Sequence, residues 1–435
     1  MTATILIILG VMVGAYALAK VKGLSVELSI FAAAVAGGLA GAIAKTPPAG
    51  ELGRHLVEGA FTYIDIILVF FTATLFMALV NESGGIDYVV RATVTVFARR
   101  RILGLLVLMI IVLIPGALTG AGSISLLVVG APAALALGHF GVSKKKTAAI
   151  LFVLAGLSAA APPVNIWAMI LCAGTAIPYV GFELVLGLPC LILGAFTVLV
   201  LAWKPDPTEA GSAGRMPEVP AGMSWWRVLA PFAVFFGLVV AGRIWPFSLP
   251  ILGLSLEFAA AALTVLLFSP RKIPFFKVSL ETVRRLLPLL STMVVVGMLQ
   301  QVMTATGVRG FLSFIVISTP LVLLFVLLTI VIPVSEGVLT YGGAAIIGIP
   351  LIWFLDSRGF HATVVIAGLS LLWPLGDGLP PTALIGRLSH MVSGYRDSYW
   401  AFLKSTWLPW LVITAVGLLM VIFSSKLAFL VRWSM

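Results

Sequence analysis

Charge is what this chain has least of. Of its 435 residues only 10% are Asp, Glu, Lys or Arg, against about 25% in an ordinary soluble domain. A surface that poor in charge excludes a protein built to be surrounded by water. Cysteine is nearly absent. Cys172 and Cys190 lie in apolar runs without a C-x-x-C spacing, so neither metal nor redox chemistry is indicated. There are four histidines, and neither G-x-S-x-G nor H-E-x-x-H occurs. Ser158 or Ser335 with His139, His361 or His390 therefore makes a poor hydrolase, and no enzyme is expected. No basic run is interleaved with stacking aromatics, which argues against nucleic acid. The N-terminus lacks a basic n-region ahead of its apolar run, so residues 3–19 read as a retained first helix.

What is present is apolar length. The chain is 61% hydrophobic with a mean hydropathy of +1.17. Stretches long enough to span a bilayer, roughly 17–25 residues, are expected near 3–19, 25–44, 60–80, 147–178, 184–203, 226–243, 250–268, 286–304, 361–395 and 407–424. The expected fold is an all-α polytopic membrane protein. Its net charge of +11 then reflects cytoplasmic loops enriched in Lys and Arg.

The chain also resembles itself. Ile114-Pro115 and Ile332-Pro333, Gly130 and Gly348, Pro132 and Pro350, Gly141 and Gly359, and the diprolines 162–163 and 380–381 all stand 218 residues apart. That offset is about half the chain. Two halves are expected, residues 1–203 and 225–435, joined by the polar linker 204–224. Arg99-Arg100-Arg101 and Lys144-Lys145-Lys146 bracket a segment that is apolar except at "PGALTGAGS". Two basic flanks on one side and a Gly-rich middle predict a re-entrant hairpin over about 102–140, because Leu103 to Pro115 is short for a full crossing. Two full crossings are the competing account. The second hairpin is expected over about 312–355, with "PVSEGVLTYGG" at its middle. Its mixed flanks, Arg309, Asp356 and Arg358, suit the opposite side, which makes the repeat inverted.

Each half also interrupts a helix, at "LSAAAPPVN" (157–165) and at "LGDGLPPT" (375–382). Irregular backbone at membrane depth is tolerated only inside protein or beside water. Half-helix N-termini there face anions, and freed carbonyls face cations. Candidate contacts to a small organic anion are Thr119, Gly120, Gly122, Ser123, Asn165, Thr340, Gly342 and Thr382. Candidates for a coupling cation are Ser158, Pro162, Ser335, Glu336, Gly337, Gly376, Asp377 and Gly378. Thr119, Ser123 and Ser125 have the competing role of bonding back to their own helix, and Asn165 also suits a helix N-cap. Glu336 and Asp377 are the sharpest signals, since a carboxylate at bilayer depth costs a few kcal/mol and marks an ion or proton path. Na+ is expected at these two. Their counterparts at the 218-residue offset, Leu118 and Ala159, are neutral. A buried ion pair between Asp377 and Arg387 is the competing account.

At these residues the chain resembles the ion-transporter superfamily of elevator-type carriers. It is most similar to the large membrane subunit of TRAP (tripartite ATP-independent periplasmic) transporters. The resemblance rests on the length, the inverted halves, the tip at 116–125, the "PP" breaks and "SLLVVGAPAALALGHFGVSKKKTAAIL" (125–151). It implies uptake of a C4-dicarboxylate or related carboxylate, driven by a sodium gradient across a bacterial inner membrane. It also implies ligands at the tips and breaks, and partners that are separate chains: a small membrane subunit and a periplasmic binding protein. Apart from the coupling ion, Na+ or H+, no cofactor is expected. Residues 99–178 and 309–395 would move past a scaffold of outer helices and amphipathic stretches near 51–59 and 273–285. A proton-coupled sugar-acid permease or a cation/proton antiporter of the same superfamily is the runner-up. A channel or an intramembrane enzyme fits less well.

Overall fold

The computed structural model describes residues 2–45, 48–206, 216–245, 248, 250 and 252–432. Among them every regular element is helical. Among the described residues nine helices are long and apolar enough to cross a membrane, or ten if the pair Tyr399–Ser405 and Trp407–Ile422, bent by 54°, counts as one span. The protein is an all-helical, multi-pass membrane protein. The middle of the expected linker, residues 207–215, lies outside the described residues.

The outer layer is formed by Thr2–Val21, Val26–Ile43, Leu52–Phe61, Ile64–Glu82, Trp225–Ile244, Gly253–Phe268 and Phe275–Ala305. The amphipathic stretch expected near 273–285 is not a separate element. It is the start of Phe275–Ala305, whose 31 residues reach about 46 Å, well beyond a hydrocarbon core of about 30 Å. Gly59 and Gly297 let this helix and Leu52–Phe61 touch backbone to backbone, because a Cβ on Gly59 would lie 2.7 Å from the Gly297 carbonyl oxygen.

Two hairpins and two broken helices make the inner layer. The first hairpin is Arg101–Thr119, a turn at Gly120-Ala121, then Gly122–Ser125, a π-helical segment Leu126–Gly130, and Ala131–His139. The second is Leu321–Leu339, a turn at Thr340-Tyr341, a π-helical segment Ala344–Gly348, and Ile349–Ser357. Both π segments precede a proline, Pro132 or Pro350, at the start of the next helix. Proline has no N–H for the carbonyl four residues back. The acceptors left over are Val128 and Ile346, inside the two widened turns. The second hairpin starts later than expected near 312, because Val308–Ser318 is a helix of its own. Thr319 before Pro320 is extended, with ψ 127°, as the proline ring demands of its predecessor.

The ends of each hairpin are tied together. Arg101 donates from Nε to the Phe140 carbonyl at 2.6 Å and from Nη1 to that of Trp203 at 3.1 Å. In the second hairpin the Phe325 and Phe360 rings meet at 5.9 Å, beside a bond of 2.8 Å from the Ser425 hydroxyl to the Gly359 carbonyl. The broken helices are Lys144–Ala160 with Ile166–Thr175, and Ala362–Gly376 with Leu384–Val392. Residues 144–145 share a surface cavity with 394–397, so the second broken helix ends where the first begins.

Candidate functional site

Each hairpin tip is seated on the break of its own half. On the first, Gly116 packs so closely on Ser158 that a Cβ would collide with its hydroxyl, and Gly122 lies equally close to the Ala155 carbonyl. Val164 N–H, just past the first diproline, donates to the Ala117 carbonyl at 3.0 Å. On the second, a Cβ on Gly376 would collide with the Pro333 carbonyl and lie 2.7 Å from the Glu336 Cβ. Thr382, just past the second diproline, donates its N–H and its hydroxyl to the Gly337 carbonyl, at 3.2 and 3.0 Å. The diproline peptide bonds 162–163 and 380–381 are both cis.

This bonding corrects one expectation. Val164 and Thr382 stand 218 residues apart, but their acceptors, Ala117 and Gly337, stand 220 apart. The counterpart of Glu336 is therefore Gly116 rather than Leu118. In one half a small hairpin residue faces Ser158. In the other a carboxylate on the hairpin faces Gly376, a helix position without a side chain.

Each tip also reaches the second half-helix of the other break. A Cβ on Gly122 would lie 2.6 Å from Ile385, and one on Gly130 3.2 Å from Val392. Reciprocally, Trp167 donates its indole N–H to Glu336 Oε2 at 2.9 Å, and its ring centroid lies 5.3 Å from that of Tyr341. Glu336 is 1% exposed and Asp377 8%, and the two lie near enough to interact electrostatically. Neither takes part in any ion pair among the described residues. Arg387, the competing partner of Asp377, instead donates to the Pro381 carbonyl at 3.1 Å. Two neighbouring buried carboxylates with no cation opposite them are the electrostatic centre of the site.

The other candidates divide. Thr119, Ser158 and Ser335 donate to their own helix, to the carbonyls of Pro115 (2.8 Å), Ala155 (2.6 Å) and Ile332 (2.7 Å), while each hydroxyl oxygen keeps lone pairs to offer. Ser125 donates to the Val112 carbonyl across the hairpin. Ser123 makes no side-chain hydrogen bond among the described residues and is 5% exposed. Asn165 caps its half-helix, accepting from Ala168 N–H at 2.9 Å and donating to the Ala160 carbonyl at 2.8 Å, so it bridges the first break. Gly120 takes the first turn at φ 72°. Thr340 takes the second at φ 52°, ψ −137°, and Gly342 lies against Val296 of the outer layer. Two candidates face away from the tips. Pro162 lies beside Gly187, and Gly378 faces Phe152.

Four residues were not singled out by sequence reasoning. Trp167 and Tyr341 line the carboxylates. Tyr179 accepts from Asn165 N–H at 3.0 Å and donates to the Pro163 carbonyl at 3.1 Å, and Tyr399 donates to the Gly378 carbonyl at 2.7 Å. Each break is thus tied by one tyrosine. The available signal was a tryptophan two residues after "PPVN", since a buried indole N–H finds an acceptor.

Among the described residues no three His, Cys, Asp or Glu side chains converge, so what the site offers a cation is carboxylate and carbonyl oxygen. No family model matches the chain, and comparison with curated proteins gives no match.

Proposed function

We propose that this protein is a secondary active transporter of small organic anions, a C4-dicarboxylate or related carboxylate, that couples transport to a cation gradient, with Na+ as the ion. The observation that carries this reading is the pair Glu336 and Asp377, both buried, with Glu336 packed on Gly376 next to Asp377 and neither in an ion pair among the described residues. Buried charge that is not neutralised by protein is costly, and a cation brought from solution removes that cost. The half-helix N-termini at Ile166 and Leu384 supply positive dipole ends to a carboxylate.

An inverted repeat and an elevator movement belong to the same proposal. In support, the first hairpin has its ends tied at Arg101, Phe140 and Trp203, and the second at Phe325 and Phe360. The broken helices between them run in opposite directions. The tips and breaks, near 99–178 and 309–395, form the moving unit, and the outer helices form the scaffold. The first arm, Arg101–Thr119, is 19 residues long, so length alone does not make it re-entrant, contrary to the expectation from Leu103–Pro115. What limits its depth is the seat of its tip beside the break, with the ten-residue helix Ile166–Thr175 continuing beyond. On this reading the protein resides in a bacterial inner membrane with its basic end cytoplasmic. A small membrane subunit and a periplasmic binding protein are its proposed partners.

The test is uptake of labelled succinate into vesicles with and without an imposed sodium gradient. Gradient-driven uptake that Asp377→Asn abolishes while folded protein is still recovered is expected. Uptake indifferent to sodium but driven by a pH gradient would replace Na+ with H+. Coupled uptake by Asp377→Asn equal to wild type would remove the carboxylate pair from the mechanism.

A further inference from the structure

A cavity of about 110 Å³ lies between the outer layer and the first hairpin. One wall is the stripe of Ile64–Glu82 that carries Thr74, Asn81 and Glu82, and another is the start of Phe275–Ala305, with Glu281 and Arg285. The hairpin lines it with Ile124, the residue after Ser123 of the first tip, and with Leu127 and Val128. The volume holds several water molecules. Thr74 lines the cavity and is 5% exposed; its hydroxyl oxygen is itself buried and has no hydrogen-bond partner among the described residues.

The second tip packs directly on the outer layer at two points. The Tyr16 hydroxyl of the first helix donates to the Val338 carbonyl there, and a Cβ on Gly342 would already lie 3.2 Å from Val296. The second tip is thus packed on the outer layer at these points, and the first is approached by a cavity with polar and charged residues in its lining. At the rim, Glu82 is paired with Arg271 at 3.8 Å. Glu281 and Arg285 stand 3.9 Å apart, with side chains 48% and 62% exposed. An exposed pair at that separation is weak, so an incoming carboxylate is able to replace Glu281 on the Arg285 guanidinium.

We infer that this cavity is the aqueous vestibule through which a small organic anion reaches the first hairpin tip from the end of the molecule that carries Arg101 and Lys144, with Arg285 attracting the anion and Glu281 opposing it. The inference rests on the anion-transport reading for its ligand, but not for the existence of the water path.

Two measurements separate these parts. Thr74→Cys and Ala78→Cys are treated with a membrane-impermeant thiol reagent from each side of vesicles, with the buried Cys172 and Cys190 as background. Modification of either variant from the basic end only, slowed by saturating succinate, is expected. No modification from that end in both folded variants overturns the vestibule, whatever the transport result. Succinate entry is then measured in vesicles with the basic end outward. Arg285→Gln should raise KM about threefold or more and Glu281→Gln should lower it, as local charge acts on anion capture, and neither should alter KM for entry from the other end. Changes of the same sign, or equal changes at both ends, overturn the role of the pair. If wild type moves no succinate or related anion, the transport reading fails, and thiol modification alone decides the vestibule.

Discussion

The indole N–H of Trp167 donates to Glu336 at 2.9 Å, joining a helix break in one half of the chain to a hairpin tip in the other. The bond holds a buried carboxylate in place while leaving its second oxygen free of the indole. The same junction is made a second time by packing, because the ring of Trp167 rests on Tyr341 two residues past the end of the hairpin arm.

Trp167→Phe removes that donor and keeps most of the ring contact. A hydrogen bond to a charged acceptor contributes about 1.5–3 kcal/mol. The cation concentration for half-maximal uptake should therefore shift by about tenfold or more, with little change in the amount of folded protein. An unchanged cation dependence would mean that the indole packs there without orienting Glu336.

Gly376→Ala places a methyl group against the Pro333 carbonyl and the Glu336 Cβ. Overpacking of this kind costs about 1–3 kcal/mol, and here it also displaces the carboxylate. A clear fall in melting temperature and loss of coupled uptake are expected in detergent-purified protein. Gly14→Ala, where no atom lies within 4 Å, should be neutral or slightly stabilising because alanine favours helix.

Asn165→Ala removes both the cap of Ile166–Thr175 and the tie to Ala160. Losing a cap costs about 1 kcal/mol. Faster hydrogen exchange at Ala168 and its neighbours should accompany a modest drop in melting temperature. Equal exchange in variant and wild type would show that the break is held by Tyr179 alone.

Thr340 is β-branched and sits at φ 52°, ψ −137°, a region that glycine occupies without penalty and other residues enter at a cost of about 1–3 kcal/mol. Thr340→Gly should raise thermal stability and alter uptake together, because the strain lies at a tip proposed to bind the anion. A gain in stability with unchanged uptake would separate the turn from transport.

Much of this layout was legible before any coordinates. The two diprolines fall just past the ends of Lys144–Ala160 and Ala362–Gly376, and Pro132 and Pro350 fall just past the two π segments, because proline acts on its own backbone wherever the chain is placed. Pro115 and Pro333 lie inside continuous helices. The start of the second hairpin was misplaced, since an apolar run does not reveal a stop at Thr319-Pro320. Arg387 was a plausible partner for Asp377 by sequence distance alone, yet its guanidinium turns to the Pro381 carbonyl.

From the sequence alone came the all-helical, many-span architecture and the points at which helices must stop. A bilayer demands long apolar runs, and proline withholds a donor, and both are properties of short stretches of chain. Only the tertiary structure decided that Glu336 answers to Gly116, that it meets Trp167, and that a cavity lined by Thr74, Glu281 and Arg285 reaches the first hairpin. Those relations depend on how closely separate segments approach, and the glycines at 116, 122 and 376 permit that approach without naming the partner.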